Sequence, residues 1–383
     1  MLKTLTIYVI CLMLISLSCT KTQEPEEYPI LGVDPLMNIA VMEEESEAFI
    51  TWAEKGIEEA LLIHIGSRDA MAAVNPETIK TLRQLMKAKN WKALRDSRDK
   101  LYDNSNYINA AVQLKMIKKI YWVIPYRLFE DMPLAGEKIK DLLKQSGSGF
   151  DEEEVDFMKM EEGCLTGSLS GADMYICSLR SLPAVMEPVI ISMDVSFFPV
   201  YATEAKISKL RALKWFFDYL TFRRTLRVKF ASVSYSIESG YTDAVHRYIG
   251  EEVLEGMGDP QTLKSESPSE LWQFRDNAEN MLSGGEGALV EEFLAEPLLK
   301  YPDDPALRLL NAFAKARIKK YDDSFKEMND ICQENKKYCY GFIQLGNAIE
   351  DNDWQNKFFK KAQESLPDSK FVNEKVSHLI RTD

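Results

Sequence analysis

The sequence is short of histidine and of positive charge, and both shortages narrow the functions it could have. Only three histidines occur among its 383 residues, His64, His246 and His378, which argues against a histidine-rich metal site. Asp and Glu number 60 against 47 Lys and Arg, giving a formal net charge of −13. Nucleic-acid binding requires a cationic surface, so a nucleic-acid partner is not expected.

Motifs of several common enzyme classes are also missing. The chain contains no Cys-x-x-Cys pair, which argues against thiol-redox and zinc-ribbon chemistry. It has no glycine-rich phosphate-binding loop with its lysine. Ser168 and Ser170 in the segment GSLSG do not match a nucleophile elbow, where serine is the third residue. No cofactor is expected.

Long apolar runs are absent except at the amino terminus. Lys3 precedes a nearly unbroken apolar run over residues 5–17, which ends in Ser16-Leu17-Ser18-Cys19. A short apolar core followed by small residues predicts a secretory signal over residues 1–18, not a membrane span. Cys19 at the cleavage point predicts a lipoprotein, while Ser16 and Ser18 also suit an ordinary signal peptidase and full secretion to the periplasm.

The predicted location follows from this signal. Residues 19–38 are expected to be a lipid-anchored tether, because the stretch TKTQEPEE is polar and flexible in composition. The protein should then face the periplasm of a bacterial cell envelope, with the membrane as a partner through the lipid on Cys19. Thr20 in place of Asp slightly favours the outer over the inner membrane.

The remaining cysteines form two local pairs. After Cys11 and Cys19 are set aside, four are left, and an oxidising compartment permits disulfides between them. The predicted pairs are Cys164 with Cys177 and Cys332 with Cys339. The second pair requires a break in the helix, since an uninterrupted helix would place Cys332 and Cys339 nearly two turns apart.

Residues 39–257 alternate between predicted helices and buried strands. The predicted strands are Ala60–Ile65, Ile120–Pro125, Pro188–Val195 and Val228–Ser236. The predicted helices are Glu44–Gly56, one beginning at Pro76, Glu204–Leu220 and Thr242–Met257. Continuous apolar strands interleaved with helices indicate an α/β domain with a mostly parallel sheet.

The carboxyl-terminal third has a different composition. Residues 258–287 are rich in Gly and Pro and are predicted to be a linker with a short helix near Leu271. Residues 288–383 are helical throughout. Tyr301-Pro302 and Leu366-Pro367 end similar helices roughly 65 residues apart, close to two units of a 34-residue repeat. Leu345 and Gly346 fit the first helix of such a unit, so the segment resembles tetratricopeptide-type repeats and could bind a protein or peptide.

Three segments carry a further resemblance. They read AFITWAEKGIEEALLIHIGSRDAM (48–71), PVIISMDVSFF (188–198) and SVSYSIESGYTDAVHRYIG (232–250). Together they resemble the UPF0489 family of arginase-like proteins, and more widely the arginase and deacetylase fold. The resemblance covers about residues 40–257 and implies a three-layer α/β domain related to metal-dependent hydrolases of C–N bonds.

The same resemblance implies where metal ligands would stand, and other residues occupy those positions. His64 matches the first position of the family motif His-x-Asp-x-His-x-Asp. Its three ligand positions are occupied by Gly66, Arg68 and Ala70. The later Asp-x-Asp strand keeps Asp194 and has Ser196 in place of the second carboxylate. Divalent metals need several anionic or imidazole donors, so no metal is expected.

The surviving polar residues leave few catalytic candidates. Asp194 is the best, and His246 is a second that could face the cleft or solvent. His64 is expected to be packed and hydrogen-bonded inside its strand. Arg68 is expected to pair with Asp69 or, across the former metal site, with Asp194.

Two functions remain open. The favoured one is an envelope lipoprotein with a catalytically degenerate hydrolase-like domain, a pseudoenzyme that binds or scaffolds a small ligand or a protein. The alternative is a divergent hydrolase that acts on C–N bonds and uses Asp194 in a cleft at the strand ends. Because fold alone does not establish function, the site has to decide between them.

Overall fold

The structure is a computed structural model that describes residues 27–127, 134–222, 224–264 and 268–377. The predicted signal, Cys19 and His378 lie outside these residues. Within them the chain is a mixed α/β protein with eight strands and 17 α-helices. None of the described helices is long and apolar enough to cross a membrane.

The eight strands form one mostly parallel sheet. They are β1 (Ile39–Met42), β2 (Ala60–Ile65), β3 (Ile117–Val123), β4 (Lys159–Glu161), β5 (Cys164–Leu169), β6 (Ala172–Cys177), β7 (Val189–Asp194) and β8 (Val228–Ser234). Their order is β1-β8-β7-β2-β3-β6-β5-β4. All pairs from β1 to β6 are parallel, whereas β5 pairs antiparallel with both β6 and β4. The predicted mostly parallel sheet is confirmed.

Helices lie between the strands and after them. Those up to the end of the strand-containing part are α1 (Glu47–Glu54), α2 (Pro76–Lys87), α3 (Trp91–Arg95), α4 (Tyr107–Gln113), α5 (Ala135–Gln145), α6 (Glu152–Phe157), α7 (Phe197–Ala205), α8 (Lys209–Thr221) and α9 (Arg247–Gly258). The later ones are α10 (Pro260–Lys264), α11 (Glu270–Ser283), α12 (Gly287–Lys300), α13 (Pro305–Arg317), α14 (Tyr321–Glu334), α15 (Gly341–Ala348), α16 (Asn352–Ser365) and α17 (Lys370–Ser377). Short 3-10 helices cover Ala244–His246 and Lys336–Tyr338.

The central strands are apolar along their whole length because both faces of the sheet are covered. All six residues of β7 are buried, and five of the six in β2. Alternate residues of β7 belong to two separate cores: Ile191 packs with one and Ile190 with the other. This arrangement accounts for the continuous apolar runs, which are typical of parallel strands covered on both faces.

One predicted helix is interrupted. The segment Glu204–Leu220 was expected to be continuous, but α7 ends at Ala205 and α8 begins at Lys209. Lys206 adopts the left-handed conformation with φ 54°, and the Ser208 side chain caps α8 by accepting a bond from the Arg211 N–H. The apolar spacing continues through the break, so the sequence pattern could not reveal it.

The expected tether and linker are more ordered than their composition suggests. Leu31, within the predicted tether, is buried, and its N–H donates to the Leu226 carbonyl at 3.0 Å. The Leu36 N–H likewise donates to the Met257 carbonyl at 2.9 Å. The predicted linker over residues 258–287 contains α10 and the 14-residue helix α11, where a single short helix was expected.

The carboxyl-terminal helices pack onto the α/β part through a shared core. Val233 of β8, Tyr248 of α9, Trp272 of α11 and Phe342 of α15 all belong to one apolar cluster. The helices after β8 therefore form a layer against the sheet-containing part and do not stand apart from it. This layer contributes residues to the cavities at the carboxyl edge of the sheet.

Candidate functional site

The carboxyl ends of four parallel strands meet at one edge of the sheet. Each is followed by a short polar loop, and these loops are residues 43–45 after β1, 66–69 after β2, 195–196 after β7 and 235–241 after β8. In α/β folds of this kind, ligands bind outside the carboxyl ends of the strands. Of the positions identified from the sequence, Gly66 and Arg68 lie in the loop after β2, and Ser196 lies in the loop after β7.

Asp194 ends β7 and is 2% exposed. One carboxylate oxygen accepts the Ser196 N–H at 2.8 Å. The other accepts the hydroxyl of Ser234 at 2.9 Å and, at shorter range, the hydroxyl of Ser236. The carboxylate is thus buried and surrounded by neutral donors, an arrangement that stabilises a charged group without an ion pair.

Two further positions named by the resemblance, Gly66 and Ser196, lie close to Asp194. A Cβ atom added to Gly66 would lie 3.1 Å from the His64 imidazole and 3.7 Å from Asp194 Cβ. The hydroxyls of Ser67 and Ser196 are 3.2 Å apart. The structure therefore brings Gly66, Ser196 and Asp194 together, as the resemblance implied for a metal site.

His64 is buried inside β2. It is 1% exposed, and its Nε2 atom lies 2.7 Å from the Arg68 carbonyl oxygen. Burial lowers the pKa of His64 despite that hydrogen bond and the nearby carboxylates of Asp194 and Asp69. The neutral imidazole donates its Nε2–H to the carbonyl. The prediction of a packed, hydrogen-bonded histidine is confirmed.

Arg68 has neither of its expected partners. Its guanidinium pairs with the carboxylate of Glu45, which is 2% exposed, and lies 3.2 Å above the ring of Tyr241. Asp69 instead accepts hydrogen bonds from the Ser148 hydroxyl at 2.7 and 2.8 Å. The predicted pairing of Arg68 with Asp69 or with Asp194 was wrong, because Glu45 from the β1 loop lies closer.

Glu44 is a buried carboxyl beside this pair and was not identified from the sequence. It is 5% exposed and accepts hydrogen bonds from the Ser239 N–H, at 2.8 Å, and from the Asn104 amide. Burial raises its pKa to about 7, and these donors and the charge of Asp194 only modify that effect. The run of three glutamates at 43–45 was a visible signal, but its meaning depends on β1, which was not predicted.

Two neighbouring cavities open beside these residues. One, the Arg68 cavity, has a volume of about 340 Å³, and its lining includes Ser67, Arg68, Asn104, Trp122, Ser148 and Tyr241. The other, the Glu44 cavity, has a volume of about 410 Å³, and its lining includes Glu44, Arg98, Asn104, Glu238, Tyr241 and Glu374. Asn104 and Tyr241 belong to both linings, whereas Asp194 belongs to neither.

His246 is not among the hydrogen-bond partners of Asp194 and contacts other residues. Its Nε2 atom is 2.9 Å from a carboxylate oxygen of Glu279 on α11, which Lys209 also contacts at 2.9 Å. Burial would raise the pKa of Glu279, but His246, Lys209 and the hydroxyl of Tyr248 outweigh it and lower that pKa to about 2. His246 therefore faces a helix contact, where the sequence had suggested cleft or solvent.

The four cysteines form two disulfides. Cys164 and Cys177 are directly opposite on β5 and β6, with Cα atoms 4.5 Å apart. Cys332 and Cys339 have Cα atoms 4.7 Å apart. Because α14 ends at Glu334 and the chain turns through a 3-10 helix, the separation that an uninterrupted helix would impose does not arise.

The donor set does not fit a catalytic divalent metal. Asp194 already accepts three hydrogen bonds, and the guanidinium of Arg68 stands at one of the three ligand positions that the resemblance implies after β2. Across the part of the chain that the structure describes, no group of three or more His, Cys, Asp or Glu could hold a metal ion. The site can bind polar groups through Arg68, hydroxyls and amides.

No family model, curated protein or solved structure matches this chain. Fold and site therefore define its class as an α/β protein with a mostly parallel sheet and a polar cleft at the strand ends.

Proposed function

We propose that the protein is a binding protein with a degenerate hydrolase-like domain, and that the Arg68 cavity holds a small anionic ligand. The proposal rests on the surroundings of the Arg68 guanidinium. Its guanidinium is held by Glu45 and Tyr241, lines a cavity of about 340 Å³, and has no other acceptor among the described residues. Guanidinium donors in a fixed fork are suited to carboxylates and phosphates.

The resemblance to the UPF0489 family supports the same proposal. Its three segments fall on β2, β7 and β8, which are neighbours in the sheet although far apart in sequence. Gly66, Arg68 and Ser196 would then be replacements of metal ligands, and Arg68 would have turned a cation site into an anion site.

The alternative, a divergent hydrolase of C–N bonds that uses Asp194, has less support. Asp194 is 2% exposed and lines neither cavity, and both its oxygens accept hydrogen bonds. A general base must reach the proton that it removes. Hydrolysis of amide or guanidino substrates that disappears in Asp194→Asn would establish this alternative.

The helical layer is proposed to resemble tetratricopeptide repeats and to bind a protein or peptide. In support, α15 and α16 approach closely at Gly346, where an added Cβ would lie 2.5 Å from the Phe359 ring. Leu299 on α12 is 85% exposed and Leu289 is 52% exposed, which gives this layer apolar surface.

The anion site is tested by removing its charge pair as a unit. The double variant Arg68→Met/Glu45→Gln avoids leaving a buried carboxylate without its cation. Its control, Arg95→Met/Glu54→Gln, removes an exposed pair with a 2.7 Å separation. Calorimetric titration with acetate, succinate and inorganic phosphate should show binding to the wild type and to the control, weakened at least about tenfold in the Arg68 variant. Equal affinity in all three proteins would contradict the proposal.

The expected lack of metal binding is tested by a separate titration. After chelation, the purified protein should take up neither Mn²⁺ nor Zn²⁺ tightly. Tight binding that is lost in Asp194→Ala would show that the ligand positions were wrongly assigned.

The lipid anchor on Cys19, in a periplasm-facing envelope protein, is also part of the proposal. Labelling with a radioactive fatty acid should mark the wild type and not Cys19→Ala. Equally weak labelling of both proteins would favour secretion to the periplasm.

A further inference from the structure

The Arg68 cavity is lined by apolar side chains as well as by its guanidinium. Tyr241 is 49% exposed, and its ring centre lies 3.2 Å from the guanidinium carbon. Leu142 of α5 and Ala72 are half-buried and line the same cavity. Apolar surface beside a few polar groups, in a volume of about 340 Å³, is typical of sites for small organic ligands.

The charged groups around the cavity limit the charge of its ligand. Among the described residues that line it, Arg68 and Asp69 are the charged ones. Glu45 already balances the charge of Arg68, and Asp69 is a buried carboxylate that accepts from the Ser148 hydroxyl. A second negative charge on the ligand would find no second cation in this lining and would be repelled by Asp69. The site therefore suits a monoanion better than a dianion.

Part of the Arg68 guanidinium is available to a ligand. Its Nη2 atom faces Glu45 and is buried, whereas the side chain as a whole is 26% exposed. Neither Nε nor Nη1 donates to a residue that the structure describes. A carboxylate in the cavity can accept a charge-assisted hydrogen bond from these donors.

We propose that the ligand of the Arg68 cavity is a monocarboxylate with an apolar tail, an inference that rests on the proposed anion site. The carboxylate accepts from Arg68, and the tail packs on Tyr241, Leu142 and Ala72. Because Glu45 already balances the guanidinium, the carboxylate alone binds weakly. Removal of the tail from water then supplies most of the affinity.

The test is a titration of the purified protein with straight-chain carboxylates from acetate to hexanoate. Calorimetry should show that the affinity rises about two- to fourfold with each methylene group that becomes buried. Hexanoate should then bind at least about tenfold more tightly than acetate, succinate or inorganic phosphate. Hexanol has the same tail without the charge and should bind at least about tenfold more weakly than hexanoate.

Leu142→Ala removes a tail contact and leaves the charge pair in place. It should weaken hexanoate binding at least about fivefold and change acetate binding by less than about twofold. Its control is Leu289→Ala, at a leucine of α12 that is 52% exposed and does not line the cavity, and it should bind both ligands like the wild type. Ala72→Leu, which adds bulk at the cavity, should also weaken hexanoate more than acetate. Wild-type hexanoate binding in both cavity variants would overturn the inference.

The outcomes for this inference and for the anion site can be told apart. If hexanoate binds no more tightly than acetate, and both lose affinity in Arg68→Met/Glu45→Gln, the anion site stands and the apolar tail is overturned. Equal binding of hexanol and hexanoate would overturn the requirement for a carboxylate. If no anion binds, or if hexanoate binds the double variant as tightly as the wild type, both the inference and the anion site are overturned.

Discussion

Among individual residues, the acidic groups at the strand ends differ in the partners available to them. Glu45 has the guanidinium of Arg68, and Asp194 has two hydroxyls and an N–H. Glu44 has two donors, the Ser239 N–H and the Asn104 amide, and is also buried. Burial raises the pKa of Glu44 to about 7, so this carboxyl ionises close to neutral pH.

Glu44→Gln should reduce the pH dependence of stability. The pKa of Glu44 is raised in the folded state to about 7 from 4.5, so its contribution to stability is full below pH 4.5 and is lost as pH rises through 7. Urea unfolding of the wild type should show a free energy of unfolding lower by up to about 3 kcal/mol at high pH from this group alone. In Glu44→Gln, the free energy of unfolding should lack this decrease as the pH rises.

The control for this prediction is Glu58→Gln, at an exposed glutamate, which should keep the wild-type slope. If Glu44→Gln also keeps it, the carboxyl is ionised normally and another group causes the pH dependence.

At the scale of helices and strands, local patterns predicted some elements and could not predict others. Strands β2 and β7 were recognisable as apolar runs and β8 as an alternating segment, and Pro76 marked the start of α2. The break at Lys206 was hidden because apolar spacing continues across it. Short strands such as β1 have no strong pattern of their own, since β1 is defined by pairing Ile39 with Ala231, far along the chain.

The residues of the candidate site also fall into two groups, those that the sequence could locate and those that it could not. Asp194, Gly66 and Ser196 could be located because each directly follows or ends a recognisable strand. Glu44 and Tyr241 could not, because their place in the cleft depends on β1 lying next to β8. Contacts that join distant segments carry no signal in a local pattern.

Gly240→Ala should disturb the docking of α17. Gly240 has φ +75°, and an added Cβ would lie 2.2 Å from the Phe371 ring. Gly171, with φ +82° and no atom within 4 Å of the added Cβ, is the matched control for backbone strain alone. Gly171→Ala should cost about 1 kcal/mol of unfolding free energy, and Gly240→Ala about 1–3 kcal/mol more. Equal losses in urea unfolding would mean that Phe371 does not pack there.

The disulfides give a prediction that needs no substitution. Cys164–Cys177 crosses a hairpin, and Cys332–Cys339 closes the turn after α14. Alkylation of the native, unreduced protein, followed by mass spectrometry of non-reduced peptides, should recover both cross-linked pairs and no modified thiol among the four. Four alkylated cysteines would rule out both bonds.

Across the whole molecule, charged side chains connect the α/β part to the helical layer. Arg275 of α11 is 5% exposed and contacts Glu251 and Glu252 of α9 as well as Asp304 at the start of α13. Asp304 also caps α13 by accepting the Leu307 N–H at 2.8 Å. One guanidinium therefore joins three helices that are not adjacent in sequence.

Arg275→Met should destabilise the entire fold. It leaves buried carboxylates without their cation, and removing one partner of a buried pair typically costs about 3–5 kcal/mol. Arg95→Met, which breaks the exposed pair with Glu54, should cost less than about 1 kcal/mol. Urea unfolding near neutral pH measures both. A loss in Arg275→Met no larger than that in the control would show that these helices are held together by apolar contacts alone.

The strand order has a consequence for how the chain reaches its folded state. β7 and β8 stand between β1 and β2, although they are made long after them. During synthesis, β1 and β2 emerge long before β8 and β7, so the strand edges that β8 and β7 later cover stay unpaired. Such edges attract other chains. We therefore expect the nascent protein to depend on a chaperone until residue 234 has emerged, and its refolding yield after dilution from denaturant to fall as protein concentration rises.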